Sequence, residues 1–345
     1  MDYINYVKEY PMMGQIGLGG GAFSLGRYSG SAGAEAFRGD RAVLATSNNS
    51  GSSPGASNYI RYFNIASLGN GANFGNLTTA RANGAGCSGG GGADAATRAV
   101  WGGGNKPDPP GPWGARSNVL DYITIASTGN ATDFGDLSYA TNFPGGCCSN
   151  GIRGIYGNGF SYAYSPAYAA AGRIDKFDIA TTGNATSFGN IVASPSYQYN
   201  GSACAGDDGR GIFGATTPGA RSIYYVQIDT DGDASSFGQL FHERSGTASC
   251  SDGDRGTWWG NQDNGAIDYI TIATTGNASD FGDMYVNVQR SGGAANDTRG
   301  TVSGGNNDDG YKQTIQYITI QTTGNAQNFG NLGITNQWGN SCSGE

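Results

Sequence analysis

The chain has 345 residues, of which 62 are glycine, 37% are hydrophobic and only 13% are charged, about half the charged fraction of an average globular protein. Glycine at this density disfavours helices, while Val, Ile, Tyr, Phe and Thr cluster in short segments that suit β-strands. The formal net charge of −8 argues against a nucleic-acid partner, since phosphate binding draws on concentrated Lys and Arg.

Residues 1–40 differ in character from the rest of the chain. They hold three tyrosines, a Pro-Met-Met cluster and a glycine run, without sustained strand alternation. The segment lacks the basic start and apolar core of a secretory signal peptide, and no membrane span is expected anywhere. We interpret it as an extended arm, either a frayed terminus or an anchor that orders against a partner. The anchoring residues would be Tyr3, Tyr6, Tyr10, Met12 and Met13.

Residues 41–345 are built from one repeat. Its most regular part is a turn that places a Gly five residues before a Phe-Gly pair. This spacing is the same in six copies: Gly69/Phe74, Gly129/Phe134, Gly183/Phe188, Gly232/Phe237, Gly276/Phe281 and Gly324/Phe329. Successive copies lie 44 to 60 residues apart, a period close to that of propeller blades.

Each copy divides into four strand-like pieces, labelled a to d. Strand b begins at an Arg followed by small and apolar residues, as in Arg98-Ala-Val-Trp. Strand c is the YITI-like piece, apolar on both faces, which predicts a sheet covered on both sides. Strand d opens at the Phe-Gly pair, and strand a follows 12 residues beyond that Gly, or 15 in one copy. Six such units predict an all-β, six-bladed β-propeller.

The ends of the repeat indicate how the ring closes. The last copy runs through strand a at Cys342, while the first begins at strand b near Arg41. The C-terminal strand is therefore expected to complete the first blade and to remove the exposed sheet edges. Residues 31–37 faintly resemble strand a and compete for the same place. The recurring strand-b Arg is expected to bridge blades or the c–d turn, pairing with residues such as Asp133 and Asp280.

Strand a carries a Cys in five of the six copies: Cys87, Cys147, Cys204, Cys250 and Cys342. Metal-site spacing is absent, since Cys147 and Cys148 are adjacent and His242 is the single histidine. We expect these thiols to be small buried residues near the central axis. Cys148 is expected to be an extra residue on the opposite face of its strand.

The order of a Gly-rich strand, a YxI strand and a short aromatic strand resembles the kelch repeat. A Gly-Gly doublet typical of kelch is present at Gly103-Gly104 and Gly304-Gly305, whereas Gly214-Ala215 and Gly260-Asn261 depart from it. More closely, strands such as Arg210-Gly-Ile-Phe and the stretch DYITIASTGNATDFGDL at residues 121–137 look like repeats of β-propeller proteins of marine bacteriophages. This resemblance covers residues 41–345 and is strongest for phages of cyanobacteria. It implies a virion protein on the tail, fibre or capsid, where oligomeric assembly is an option.

Known propeller enzymes need residues that are not evident here. A copper oxidase site needs more imidazoles than His242 supplies, and an Arg that recurs in every copy fits a structural role better than a sialidase cluster. Asp229-Thr-Asp-Gly-Asp233 resembles a calcium loop, but EF-hand positions six and twelve are Ala234 and Leu240. Plain turn chemistry, with Gly232 at positive φ, is favoured. We expect no catalytic residue, cofactor or metal, with a glycan-hydrolysing propeller as the alternative.

The two rims of the predicted ring differ in kind. Antiparallel strands send the b–c and d–a loops to one rim and the a–b and c–d loops to the other. The distance from the strand-b Arg to strand c varies from 12 to 22 residues, whereas the c–d turn has a constant length. Variable loops over a fixed scaffold usually carry binding specificity. Unless they fold back onto their own rim, aromatic residues of two long b–c loops are expected to bind a host-surface glycan or protein: Trp113, Phe160, Tyr162, Tyr164 and Tyr168.

Overall fold

The computed structural model describes eleven segments of the chain: residues 38–47, 55–90, 96–107, 115–144, 146–159, 172–191, 201–206, 209–215, 220–244, 246–260 and 265–344. Every regular element within them is a β-strand. In these segments no helix is long and apolar enough to cross a bilayer.

The first half of the strands runs from β1 to β12: β1 (Arg41–Ala45), β2 (Ser57–Asn64), β3 (Ala72–Arg81), β4 (Ala85–Gly89), β5 (Arg98–Gly102), β6 (Ser117–Thr124), β7 (Thr132–Thr141), β8 (Gly146–Ser149), β9 (Arg153–Gly157), β10 (Arg173–Asp178), β11 (Thr186–Asn190) and β12 (Ser202–Ala205). The second half runs from β13 to β25: β13 (Arg210–Gly214), β14 (Ala220–Gln227), β15 (Ser235–Arg244), β16 (Ala248–Ser251), β17 (Arg255–Trp259), β18 (Ala266–Thr271), β19 (Ser279–Asp283), β20 (Gly292–Ala295), β21 (Arg299–Ser303), β22 (Asn306–Asn307), β23 (Gly310–Thr319), β24 (Gln327–Asn336) and β25 (Asn340–Gly344).

These strands form six antiparallel sheets, which are the blades of a propeller. Blade 1 has the order β25-β1-β2-β3, and blades 2 to 5 each take four consecutive strands from β4 to β19. Blade 6 contains β20, β21, β23 and β24, and β22 adds a short hairpin to β23. Each blade follows the order a, b, c, d, so the predicted six-bladed propeller is confirmed.

The C-terminal strand closes the ring. β25 pairs antiparallel with β1, and Cys342 lies opposite Val43. The six a strands then contact one another in an unbroken circle. Closure by the C-terminal strand is confirmed. The competing segment 31–37 lies outside the described residues, and so does the predicted arm up to residue 37.

The apolar core lies between the blades. Strand b is buried on both faces because each blade is covered by two neighbours, and its aromatic side chains are fully buried: Trp101, Tyr156, Phe213, Trp258 and Trp259. Burying a large apolar side chain contributes about 1.5–3 kcal/mol relative to leaving it exposed. The blades are therefore held together mainly by these shared apolar faces.

The sequence pattern predicts that strand c is apolar on both faces, and this prediction is wrong. Asp121, Asp175 and Asp268 are at most 1% exposed, and each accepts hydrogen bonds from strand d of the preceding blade. Two of them form fully buried ion pairs: Arg81 Nη2 to Asp121 Oδ2 at 2.9 Å and Arg244 Nη2 to Asp268 Oδ1 at 2.6 Å. The buried charges are tolerated because each has a hydrogen-bonded partner.

The register of strand a corrects which Cys of blade 3 belongs to the repeat. In blade 2, Cys87 pairs with Val100, the third residue of strand b. The equivalent residue of blade 3, Ile155, pairs with Cys148. The prediction that Cys148 is the extra residue is therefore wrong, because the d–a connection of blade 3 is one residue longer and makes Cys147 the extra one. The two thiols do lie in different apolar clusters, and all six cysteines are buried and free.

The c–d turns form a ring of contacts around one rim, which we call the turn belt; its members begin at Gly69, Gly129, Gly183, Gly232, Gly276 and Gly324. Each turn docks on strand d of the preceding blade. Gly276 N donates to Phe237 O at 3.0 Å, and Asn277 Oδ1 accepts from Gln239 N at 3.1 Å. A Cβ on Gly238 would lie 2.0 Å from Gly276 O. The Phe-Gly glycine is required because the next turn occupies the place of its side chain.

The turn glycine itself has more freedom than expected. Gly232 does not adopt a left-handed φ, and a Cβ added to it would meet no atom within 4 Å. The prediction of positive φ at Gly232 is wrong. The steric constraint lies instead on its partner Gly189, where a Cβ would come within 2.0 Å of Gly232 O.

The strand-b Arg bridges neighbouring blades, as expected, but through backbone carbonyls rather than Asp133 or Asp280. Arg255 Nη1 donates to Ile320 O at 3.2 Å, and the Arg255 guanidinium lies 4.8 Å from the ring centroid of Tyr269. Six equivalent links run around the ring: Arg41 to Ile125, Arg98 to Ile179, Arg153 to Ile228, Arg210 to Ile272, Arg255 to Ile320 and Arg299 to Ile65. Each Arg thus links its own blade to the c–d turn of the next blade.

Candidate functional site

The a strands enclose a narrow axial channel lined by small residues. Serine hydroxyls bond to the neighbouring a strand, as in Ser251 Oγ to Ala205 O at 2.6 Å and Ser249 Oγ to Ala203 O at 2.9 Å. At the a–b rim the side chain of Arg38, which is 6% exposed, also lines the channel. Ser149 and Ser343 make the same kind of bond, whereas Ser341 Oγ has no partner among the described residues, so most channel hydroxyls serve contacts between blades.

The channel thiols are poor nucleophiles. Burial raises the pKa of Cys250 to about 12 and also raises the pKa of Cys148 well above its usual range. A thiol with such a pKa is protonated at neutral pH, and the thiolate is the reactive form. These cysteines therefore pack as small apolar residues, as the sequence predicts.

At the b–c and d–a rim the channel opens into a depression of about 390 Å3, including space open to solvent, which we call the axial mouth. It narrows toward the a strands because the d–a connections lead directly into them. Every d–a connection contributes to its lining: Asn83, Pro144, Gly201, Thr247, Ser291 and Trp338.

One backbone position recurs around the axial mouth with a different side chain each time. It is the eighth residue after the Phe-Gly glycine, and its φ is left-handed in five blades: Asn83 (61°), Phe143 (50°), Gly246 (66°), Arg290 (60°) and Trp338 (61°). Gly and Asn tolerate this conformation, but bulky residues adopt it at a cost of order 1–3 kcal/mol. Three blades thus carry a bulky residue in a backbone conformation that Gly adopts with less strain.

Backbone hydrogen bonds explain why the left-handed conformation persists. Arg290 N donates to Gly246 O at 2.6 Å, and Trp338 N donates to Arg290 O at 2.7 Å. Three consecutive d–a connections are therefore linked edge to edge around the axis. The backbone is fixed by this chain of bonds, and the side chains are free to differ.

Trp338, Arg290 and Phe143 form an aromatic and cationic cluster at the axial mouth. The Arg290 guanidinium lies 4.2 Å from the Trp338 ring centroid, and the Phe143 ring meets Trp338 edge-on at 5.2 Å. All three side chains are half-buried. Burial lowers the pKa of Arg290 below its usual range, yet a guanidinium stays protonated at neutral pH. The cluster presents a cation beside apolar rings.

Three buried polar atoms near this cluster have no hydrogen-bond partner among the described residues: Asn83 Oδ1, Ser291 Oγ and Arg290 Nε. Asn83 is 8% exposed and Ser291 is 6% exposed, and both line the axial mouth with Arg290. Buried polar groups are nearly always satisfied, so unpartnered ones call for an explanation such as a bound ligand or water. The mouth therefore offers both donors and acceptors.

The binding residues predicted from the sequence all lie outside the described segments. This applies to the loop aromatics Trp113, Phe160, Tyr162, Tyr164 and Tyr168, and to the arm residues Tyr3, Tyr6, Tyr10, Met12 and Met13. The structure therefore leaves both sets as predictions. The axial mouth opens on the same rim as the b–c loops that hold the first set.

The acidic stretch that resembles a calcium loop belongs to the blade 3–blade 4 contact. Asp231 pairs with Arg153 at 3.4 Å and with Lys176, which stands where five other blades have an aromatic residue next to the strand-b Arg. Asp233 Oδ1 accepts from Asn190 N at 2.9 Å. These carboxylates thus contact different partners in blade 3. No group of three or more His, Cys, Asp or Glu suited to a metal ion occurs in the described part of the chain.

The sequence pattern that indicates a binding surface, aromatic runs in long loops, does not include the cluster at the axial mouth. Phe143, Arg290 and Trp338 are isolated in sequence, and only the alignment of the copies on the Phe-Gly pair places them at one position. A position that holds Asn, Phe, Gly, Arg and Trp in otherwise similar repeats is the signal that could have found them.

No protein-family model matches this chain, and a search of the curated proteins gives no significant match. The chemistry of the axial mouth is therefore the basis for assigning a function.

Proposed function

We propose that this protein is a non-enzymatic binding protein of a phage particle, anchored to other virion proteins through residues 1–40 and presenting its b–c and d–a rim to the host surface. The observation that carries the binding role is the axial mouth. One backbone position there holds five different residue types in five blades, and three of them form the cluster of Phe143, Arg290 and Trp338. Recognition surfaces commonly vary over a fixed frame in this way.

The virion location rests on the resemblance of residues 41–345 to the repeats of marine phage propeller proteins. The arm supports it in a limited way, since Tyr3, Tyr6, Tyr10 and the neighbouring Met12 and Met13 supply contact groups without a core of their own. The propeller fold hosts many activities and is neutral on this point.

The non-enzymatic assignment is supported by the composition of the axial mouth. Glycoside hydrolases use a pair of Asp or Glu side chains at the scissile bond. Among the described residues that line the mouth, none is Asp or Glu. The glycan-hydrolysing alternative makes a different prediction, which is the release of product from a host-surface glycan incubated with the full chain.

The binding role is tested on the rim that carries the long loops. Trp113→Ala and Tyr162→Ala are expected to weaken attachment of the full chain to cyanobacterial host cells without changing its thermal unfolding. Ile152→Ser is the matched control, because Ile152 lies in an a–b loop on the opposite rim and is 55% exposed. Equal attachment by all three variants and the unaltered chain would contradict the proposal.

The anchoring role is tested by deleting residues 1–37. Residues 38–40 are kept because they contact the ring: Asp40 O accepts from Ile65 N at 2.6 Å, and Asp40 Oδ1 accepts from Asn296 Nδ2 at 2.7 Å. The truncated protein is expected to fold and to be absent from assembled particles. Normal incorporation into particles would refute the anchoring role.

A further inference from the structure

We infer that the axial mouth binds the terminal acidic sugar of a surface glycan, with the sugar carboxylate at Arg290 and the ring against Trp338. This inference rests on the proposed binding function and names the ligand class for it. Four features of the mouth carry it: its charge, its unpartnered polar atoms, its aromatic wall and its shape.

The charge of the axial mouth favours an anion. Arg290 is the only charged side chain among the described residues that line it, although the whole chain carries a net charge of −8. The Arg290 guanidinium lies 4.2 Å from the Trp338 ring centroid, and a guanidinium in a cation–π contact can still donate through its N–H groups. A planar guanidinium held in this way matches a carboxylate, which accepts two parallel hydrogen bonds.

The unpartnered atoms favour a ligand with hydroxyl groups. Asn83 Oδ1 is an acceptor, and Ser291 Oγ both donates and accepts. A sugar hydroxyl also donates and accepts, so adjacent hydroxyls satisfy both atoms without a fixed hydrogen pattern. These atoms are already buried and unpaired without a ligand, so a hydroxyl that reaches them gains a hydrogen bond that an apolar ligand cannot supply.

The aromatic wall favours a ring with an apolar face. Trp338 lines the mouth and Phe143 packs edge-on against it, and each has a left-handed φ that Gly would adopt with less strain. Aromatic rings of this kind bury the C–H face of a pyranose while leaving its hydroxyls to polar groups. The strain is consistent with a side chain retained for contact rather than for folding.

The shape of the axial mouth favours a chain end. Described residues from each of the six d–a connections line it, on the axis of the ring. A ligand therefore reaches these residues along the axis, which the end of a glycan chain does more readily than its middle.

The inference is tested with the full chain and two sugars that differ only at C6: methyl β-D-glucuronide, which carries a carboxylate, and methyl β-D-glucoside, which carries a hydroxymethyl group. Binding is titrated by saturation-transfer NMR, with the galacto-configured pair in parallel. The acidic sugar of at least one pair is expected to bind about tenfold more tightly than its neutral partner, which corresponds to one charge-assisted hydrogen-bonded contact.

Two variants locate the contact. Arg290→Gln is expected to reduce acidic-sugar binding to the level of the neutral sugar, and Trp338→Gly is expected to abolish binding of both. Gly246 shows that Gly fits this backbone position, so Trp338→Gly keeps the fold. Circular dichroism and thermal unfolding confirm that each variant is folded.

Several results would overturn the inference: equal binding of acidic and neutral sugars, tighter binding of triglycine through its C-terminal carboxylate, no binding of any probe, or acidic-sugar binding that survives Arg290→Gln. The proposed function is judged separately by attachment to host cells. Attachment without acidic-sugar binding would refute this ligand and leave the binding role standing. Sugar binding without attachment to host cells would refute the binding role and leave this ligand standing.

Discussion

The two rims of the propeller use the same repeat in opposite ways. On the a–b and c–d rim, each turn of the belt repeats the same contact, in which a turn Gly carbonyl sits against the Phe-Gly glycine of the preceding blade. On the b–c and d–a rim, one left-handed backbone position repeats while its side chain changes from Asn83 to Phe143 to Trp338. A side chain is excluded on the first rim and displayed on the second. The first rim therefore holds the ring together, and the second can differ from blade to blade.

The largest expected effect comes from a substitution that breaks the turn belt. Gly238→Ala places a Cβ 2.0 Å from Gly276 O, so the backbone of one blade must move away from the next. We expect a loss of about 3 kcal/mol or more in the free energy of unfolding, measured by urea denaturation. Gly276→Ala is the matched control at the same contact, because its Cβ would meet no atom within 4 Å. It should change stability by less than about 1 kcal/mol, and equal losses in the two variants would contradict the belt.

An effect of similar size is expected at the buried ion pair between blades 4 and 5. Asp268→Gln alone leaves Arg244 buried without its carboxylate, which we expect to cost about 3–5 kcal/mol. Blades 5 and 6 have Val288 and Gln316 at the equivalent positions, and Gln316 Oε1 accepts from Tyr285 N at 2.8 Å. The double variant Arg244→Val, Asp268→Gln should therefore recover most of the loss. A double variant as unstable as the single one would contradict this account.

The same pair predicts a pH dependence. Burial by itself would raise the pKa of Asp268, but the hydrogen bonds and charge of Arg244 and the hydrogen bonds from His242 outweigh it, so the pKa is lowered. The stabilisation is then fully present above the ordinary carboxylate value of about 4 and is lost as the pH falls through the lowered pKa. The midpoint temperature of thermal unfolding, measured between pH 3 and pH 7, should fall less steeply toward acid pH in the double variant than in the unaltered chain. Parallel profiles would show that Asp268 does not contribute.

A smaller effect is expected from the Arg links. Arg255→Gln removes both the bond to Ile320 O and the stacking on Tyr269, which together should contribute about 1 kcal/mol. The blade 3 link differs because Arg153 lies near Asp231 instead of a Tyr ring. Added salt should therefore weaken the contribution of Arg153, measured with Arg153→Gln, more than that of Arg255. The same salt response at both sites would contradict the distinction.

The smallest effect on stability is expected at the axial mouth. Trp338→Gly removes the contacts with Arg290 and Phe143 but also relieves a left-handed φ of 61°. These contributions oppose one another, so the free energy of unfolding should change by no more than about 1 kcal/mol. A loss above about 3 kcal/mol, measured by urea denaturation, would mean that Trp338 serves the fold.

The sequence was sufficient for features that follow from spacing. The interval between the turn glycine and the Phe-Gly pair located the c–d hairpins, and the ends of the repeat located the closing strand at Cys342. Both depend on local geometry that is repeated, and repetition separates a constraint from chance. Burial of the strand-a thiols followed from the same alignment.

Features that depend on the neighbouring blade were less accessible. Asp121 and Asp268 are buried because Arg81 and Arg244 reach them from strand d of another blade, and the strand-c pattern contains no trace of that partner. The register of Cys148 depends on one inserted residue in a loop, which spacing alone assigned to the wrong side. The cluster at the axial mouth is assembled from three d–a connections and has no local motif.

The most direct measurement compares one apolar side chain from each rim. Leu68 lies in a c–d turn and is 58% exposed, whereas Trp338 is half-buried at the axial mouth. Attachment of the full chain to host cells is measured for Leu68→Ser and Trp338→Gly. Recognition at the b–c and d–a rim predicts that Leu68→Ser attaches as well as the unaltered chain and that Trp338→Gly loses at least about tenfold in affinity. Unchanged attachment by Trp338→Gly together with a loss in Leu68→Ser would contradict it.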